Sequence, residues 1–242
     1  MTTHFTSGVT NVSADGSLGK IKQPDPTKYH LFHEDFDKYT AADWVITTTE
    51  AGSGAATEAL AAGDGGLLVI TNDDADNDAD FLQWAGGSGG VIESFKYETG
   101  KQLFFKSRFK TSDADATDIV MGLQITDTAP LDVSDGIFFL LTDGDATPQF
   151  IVEKNGSQTT LSLPNDMADD TFMTLGFVYN PADQKFHVFQ NNVLAGTVVS
   201  TNAPDDEELA ISFGVQNGAA AAKVLTVDYI TAGKERTAVT EL

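Results

Sequence analysis

Residues 172–199 read FMTLGFVYNPADQKFHVFQNNVLAGTVV, and this stretch decides the fold. It holds three apolar runs of strand length, at 172–179, 185–190 and 193–199. The breaks between them are Asn180-Pro181-Ala182-Asp183 and Asn191-Asn192. Both breaks have turn chemistry, because proline presets φ and asparagine tolerates a left-handed backbone. The stretch therefore predicts a three-stranded antiparallel meander. It carries no evident reactive group, so function has to be sought elsewhere in the chain.

The same pattern extends outward in both directions. Upstream, strands are expected at 45–49, 67–71, 81–84, 118–126, 136–142, 149–154 and 158–163; downstream, at 209–216 and 222–231. Asn155-Gly156 is a strong hairpin signal between two of these runs. In KYETGKQLFFKSRFK, residues 96–110, Lys106, Arg108 and Lys110 alternate with Phe105, Ser107 and Phe109. That is the period-2 pattern of a half-exposed strand. Helix signals are nearly absent, and residues 55–62 are the one place a short helix fits, with a weak strand as the alternative. About twelve to fifteen short strands with frequent turn signals point to a sandwich or barrel. No internal repeat is visible, which argues against a propeller.

The chain has 242 residues, which suits a large all-β domain. It has no cysteine, so disulfides, cysteine-based zinc sites and thiol catalysis are excluded. Lys and Arg number 14 against 36 Asp and Glu, a net charge of −22. Phosphate binding needs a basic surface, so no direct nucleic-acid partner is expected, and no anionic membrane surface either. Strong acidity suits solubility, salty surroundings or a basic patch on a partner. No apolar run is long enough to span a bilayer as a helix. The opening MTTHFTSGVTNVSADG lacks a basic segment followed by a continuous apolar one, so a secretory signal is not expected.

Residues 1–28 stand apart from the rest of the chain. They are rich in Thr, Ser, Gly and Asn, and they carry three lysines against two aspartates. Pro24-Asp25-Pro26 favours an extended path. The scattered apolar residues Phe5, Val9, Val12, Leu18 and Ile21, with Lys20, Lys22 and Lys28, suggest an arm that lies on a surface, its own or a partner's, with a disordered terminus as the competing reading. The expected organisation is an arm at 1–28, a sandwich at 29–232 and a short tail at 233–242.

Chemistry is sparse. Glycoside cleavage on such folds needs two carboxylates flanking the bond, commonly as E-x-D-x-x-E on one strand. That spacing is absent here, and no nucleophile elbow, P-loop or dinucleotide fingerprint occurs. The expectation is therefore that the chain is not an enzyme. His30 and His33 have a spacing that a metal tolerates, but surface histidines are the simpler reading. The acidic run NDDADNDAD, residues 72–80, offers hard oxygen ligands for calcium, with Asp74, Asp76 and Asp78 as the candidates. Counted from Asp74, the EF-hand pattern fails, with Ala79 where Gly and Ala85 where Glu belong. A solvated acidic loop is the competing reading. Asp113 with Asp115, and Asp143 with Asp145, repeat the idea more weakly.

From about residue 29 to 231 the chain resembles concanavalin-A-like (laminin-G-like) jelly rolls. The late meander carries the resemblance, with Phe172 where the family has Trp and Asn191-Asn192 in place of Asn-Gly. Residues 209–216 and 225–230 match the final two strands. The implied fold is an all-β, antiparallel two-sheet jelly-roll sandwich with an extended N-terminal arm. The segment THFTSGVTNV…LG…PDPTKYHLFHEDFDKYTAADW is similar to the openings of tailed-bacteriophage virion structural proteins. That resemblance implies a capsid decoration (cement) protein on the outer capsid surface, assembled in the host cytoplasm. It would bind the major capsid protein through its arm and form a homo-oligomer, a trimer being favoured, without a cofactor beyond a possible calcium. The alternative is a lectin-like carbohydrate-binding module, calcium-dependent through the loops at 73–80 and 143–145.

Overall fold

The computed structural model describes residues 24–236. Its strands, in chain order, are β1 (Tyr29–Glu34), β2 (Trp44–Thr49), β3 (Thr57–Ala61), β4 (Leu67–Thr71), β5 (Ala79–Trp84), β6 (Phe95–Lys96), β7 (Leu103–Thr111), β8 (Thr117–Gln124), β9 (Gly136–Thr142), β10 (Asp145–Lys154), β11 (Ser157–Ser162), β12 (Met173–Asn180), β13 (Lys185–Gln190), β14 (Val193–Val199), β15 (Glu208–Asn217) and β16 (Val224–Glu235). They build two antiparallel sheets. The first runs β14-β13-β12-β7-β16-β4-β3, with β1 also on β16. The second runs β11-β10-β9-β8-β15-β5-β2, with β6 also on β15. This is the expected two-sheet jelly roll.

The meander forms as its turns dictate. β12 pairs with β13 through Phe177↔Val188 and Tyr179↔Phe186. Asn191 and Asn192 take φ of 51° and 65°, the left-handed pair that a tight hairpin needs. Asn155 and Gly156 do the same at 50° and 72° between β10 and β11. Two expectations change. The segment at 55–62 holds strand β3, not a helix, because pairing with β4 (Leu60↔Leu68) satisfies its backbone and overrides alanine's high helical propensity. β16 also continues to Glu235, past the expected domain end at 232, because β1 pairs along it as far as Tyr29↔Glu235.

The core lies between the sheets. Alternation on β7 turns Leu103, Phe105 and Phe109 inward and Phe104, Lys106, Arg108 and Lys110 outward. Phe105 stacks on Phe177 within the first sheet, and Phe177 meets Phe139 and Phe150 from the second: Phe150–Phe177 centroids are 5.2 Å apart and Phe139–Phe150 5.2 Å. At the other end Trp44, Trp84, Phe32 and Phe213 pack edge to face at 4.9–5.1 Å. Such aromatic pairs add specificity to the burial itself.

The second sheet is buried on both faces. A smaller apolar cluster covers its outer side, made by Ala79, Phe81, Val120, Phe138 and Ile151 with Val133 from the β8–β9 connection. Room for the two rings comes from glycine. Gly122 faces Phe138 across β8–β9, and Gly214 faces Phe81 across β15–β5. A Cβ at Gly122 would lie 2.5 Å from the Phe138 Cα, and one at Gly214 would lie 2.6 Å from the Phe81 Cα. Neither neighbour is a flexible chain end, so the strands themselves would have to part. Gly122→Ala is expected to cost about 1–3 kcal/mol through overpacking. Urea unfolding measures it, and an unchanged midpoint would contradict this account of the sheet.

Candidate functional site

The acidic run is built into the framework by its own backbone needs. Asp78 is buried, and its Oδ1 accepts from the Ala51 N–H (2.6 Å) and its Oδ2 from the Ala75 N–H (3.0 Å). Asn217 donates from Nδ2 to the carbonyls of Asp73 (2.6 Å) and Ala75 (2.9 Å). Asn72 donates to the carbonyls of Asp78 and Val215. Asp74 and Asp76 remain exposed, while Asp78 is turned inward. Asp74, Asp76 and Asp78 thus do not converge, and among the described residues no group of three or more His, Asp or Glu side chains is placed to hold a metal ion. Backbone amides compete with cations for carboxylate oxygens, and here they take both oxygens of Asp78. The histidines also have local roles: His30 Nε2 contacts Ser94 Oγ at 3.0 Å, and His187 Nε2 contacts Asp183 Oδ2 at 2.8 Å.

One carboxyl of the run sits differently. Asp80 on β5 is fully buried, and its Oδ1 accepts from the Thr48 hydroxyl at 2.7 Å. Among the described residues no N–H or O–H donor reaches its Oδ2. The side chain of Glu58, on β3 of the other sheet, lies within hydrogen-bond reach. Burial first, then Glu58, pushes the Asp80 carboxyl up to about 7, against the Thr48 hydrogen bond. The Tyr39 phenol beside it is also raised, by burial first and then by Glu58. The Asp80–Glu58 contact joins one sheet to the other.

The cover over the second sheet is pinned by buried amides that sequence reasoning missed. Gln83 Nε2 donates to the Ile125 carbonyl (2.9 Å), and its Oε1 accepts from the Asp127 N–H (3.2 Å). Gln124 Nε2 donates to the Pro130 carbonyl (2.9 Å), and its Oε1 accepts from the Ser212 hydroxyl (2.8 Å). Carboxylates appear at the margins of this face. Asp118, near Asp143, is raised by burial; Glu153, near Asp132 and Asp135, is raised by burial and then by those two acids.

The base of the arm is a built joint. Asp25 is buried, and its Oδ1 accepts from the Thr27 N–H and hydroxyl at 2.9 and 2.7 Å. Its carbonyl accepts from the N–H groups of Lys28 and Tyr29. Arg236, just past β16, donates from its backbone N–H to the Lys28 carbonyl (2.6 Å) and from Nε to the carbonyls of Pro26 and Tyr29 (3.2 Å each). Of the arm residues singled out from sequence, Lys28 lies in this joint with its side chain exposed. Phe5, Val9, Val12, Leu18, Lys20, Ile21 and Lys22 lie outside the described residues.

No protein-family model and no curated protein sequence matches the chain. Solved structures do. A protein of unknown function from Shewanella oneidensis MR-1 is 17% identical with a TM-score of 0.59, over 88% of this chain and 90% of that one. An endo-1,3-beta-glucanase from Streptomyces sioyaensis is 14% identical with a TM-score of 0.57, over 89% and 100%. The potassium-bound carbohydrate recognition domain of Emp46p is 11% identical with a TM-score of 0.55, over 82% and 93%. At such identities the likeness is one of fold. It supports the concanavalin-like jelly roll and carries no sign of a phage. It also corrects the expectation that the chain is not an enzyme: a missing E-x-D-x-x-E spacing is too narrow a ground, since this sandwich is shared with an endo-glucanase as well as with a recognition domain.

The Asp80 pair has a measurable consequence. Its ordinary value is 3.8 and its folded value is about 7. Between these, the unfolded chain loses the proton and the folded protein keeps it, so stability falls as pH rises from about 4 to 7. Asp80→Asn is expected to flatten that part of the curve. Urea midpoints at pH 5 and pH 8 test it, and equal slopes in both proteins would show that Asp80 is ionised in the fold.

Proposed function

We propose that this chain is a virion structural protein, a decoration (cement) protein held on the outer capsid surface by residues 1–28. The observation that carries this reading is the joint at Arg236. It binds the first described residues to the end of β16, which fixes the point on the sandwich where the described chain begins. The arm is the more basic part of a chain that is otherwise strongly acidic. An acidic body suits solvent or a basic capsid patch, while a separate arm carries the attachment to the major capsid protein. The resemblance of the first 44 residues to phage virion proteins points the same way. Trimerisation would cover the edge strand β14, where Val193, Leu194 and Val199 are 70%, 53% and 49% exposed.

A second reading, a carbohydrate-binding module, is favoured by the fold shared with a glucanase and a carbohydrate recognition domain. The tie-up of Asp78 by two amides speaks against a calcium-dependent form at the loop.

Deletion of residues 2–23 keeps the Asp25–Arg236 joint and separates these readings. The truncated protein is expected to melt like the full chain and to lose binding to empty heads. Full affinity of the truncated protein for heads would overturn the arm as attachment. On a glycan array, the second reading expects binding that a chelator leaves unchanged; no binding with or without chelator would remove it.

A further inference from the structure

The two sheets treat their outer faces oppositely. The second is covered; the first carries an open groove of about 370 Å³. The register explains it. Across the first sheet one row runs Thr231↔Lys106↔Gly176↔Phe189↔Leu194, and the next runs Gly233↔Phe104↔Val178↔His187. Gly176 has no side chain, so the first row is interrupted between Lys106 and Phe189. A Cβ there would lie 3.0 Å from the Phe105 carbonyl and 3.2 Å from the Lys106 Cγ. The hollow over Gly176 is walled by Phe104, Val178 and Phe189, and Thr174, Thr231 and Asn192 bring hydroxyl and amide groups to it.

The cation in this wall is unlike its neighbours. Arg108 is paired with Asp228 and also lies 4.0 Å over the Phe172 ring, and Lys110 pairs with Asp170 at 3.4 Å. Among the described residues no carboxylate lies within ion-pair distance of Lys106. In a chain of net charge −22, the one wall ammonium of an aromatic groove is left without an acid. Charge beyond about 8 Å is largely screened at physiological salt, so the local ammonium, not the distant acids, meets a ligand in the groove.

We propose that this groove binds an acidic oligosaccharide, a sugar ring lying on Phe104 and Phe189 and its carboxylate on the Lys106 ammonium. The proposal rests on the carbohydrate-binding reading and moves the ligand from the acidic loops to the open face of the first sheet. Aromatic faces take the apolar C–H side of a pyranose, hydroxyl and amide groups take its hydroxyls, and an unpaired ammonium takes a carboxylate. The size agrees: about 370 Å³ is at the lower end of small-molecule sites.

The test is titration of the full-length protein with tri-galacturonate and with its neutral methyl ester, in 0.15 M salt, followed by calorimetry and by the amide signals of Asn192 and Thr231. Tri-galacturonate is expected to bind and to shift both signals. Lys106→Gln is expected to weaken it about tenfold and leave the weaker methyl ester unaffected; Phe104→Ala is expected to weaken both. Lys185→Gln, on the same sheet outside the groove, is expected to change neither. Equal binding of acid and ester, with Lys106→Gln silent, overturns the acidic specificity. Glycan binding that neither Lys106→Gln nor Phe104→Ala alters overturns the groove while leaving the carbohydrate reading intact. An array without any glycan binding defeats that reading and this proposal together. Signal shifts that follow protein concentration alone would make the groove a contact between copies and overturn the proposal.

Discussion

Two glycine–phenylalanine contacts govern the rest of the structure. Where Gly122 lies under Phe138 and Gly214 under Phe81, the second sheet can lay aromatic rings flat against its own outer side. Val133 and its neighbours complete that layer, and Gln83, Gln124 and Ser212 hold the covering segment through hydrogen bonds. Buried amides of this kind stabilise only when fully satisfied, and these are. The second sheet becomes a wall with apolar contacts on both sides. Any exposed sheet face for a ligand or partner must then come from the first sheet or from the loops and arm.

Charge follows the same division. The chain's basic residues are few, and three of them alternate along the outer side of β7. Most carboxylates lie on loops and margins, where solvent tolerates them; Asp25, Asp78, Asp135, Asp228 and Asp80 are buried, and Asp80 is the least exposed of these. Burial raises the pKa of the Asp80 carboxyl, and Glu58 from the other sheet adds to the rise. An ionised acid at that depth would need a cation, and none of the described basic residues pairs with it.

Much of the architecture could be read from periodicity. The runs at 67–71, 136–142, 185–190 and 193–199 coincide with β4, β9, β13 and β14, because alternation and turn residues act locally. The segment at 55–62 was harder, since alanine favours a helix and only the long-range pairing with β4 decides for a strand. The candidate sites were less legible still. A string of aspartates reads the same whether its oxygens face water, a cation or backbone amides, and Asp78 meets the amides of Ala51 and Ala75.

The sequence by itself determined the class of fold, the hairpins at Asn155-Gly156 and Asn191-Asn192, and the outward row Lys106, Arg108, Lys110. These depend on neighbours one or two residues away. Tertiary structure alone decided that Arg236 meets Pro26, that Glu58 meets Asp80, and that Gly176 opens a hollow between Lys106 and Phe189. Each joins residues far apart in the chain, and their meeting is set by strand order and register. No local pattern encodes that order; it emerges when two sheets bury their shared core.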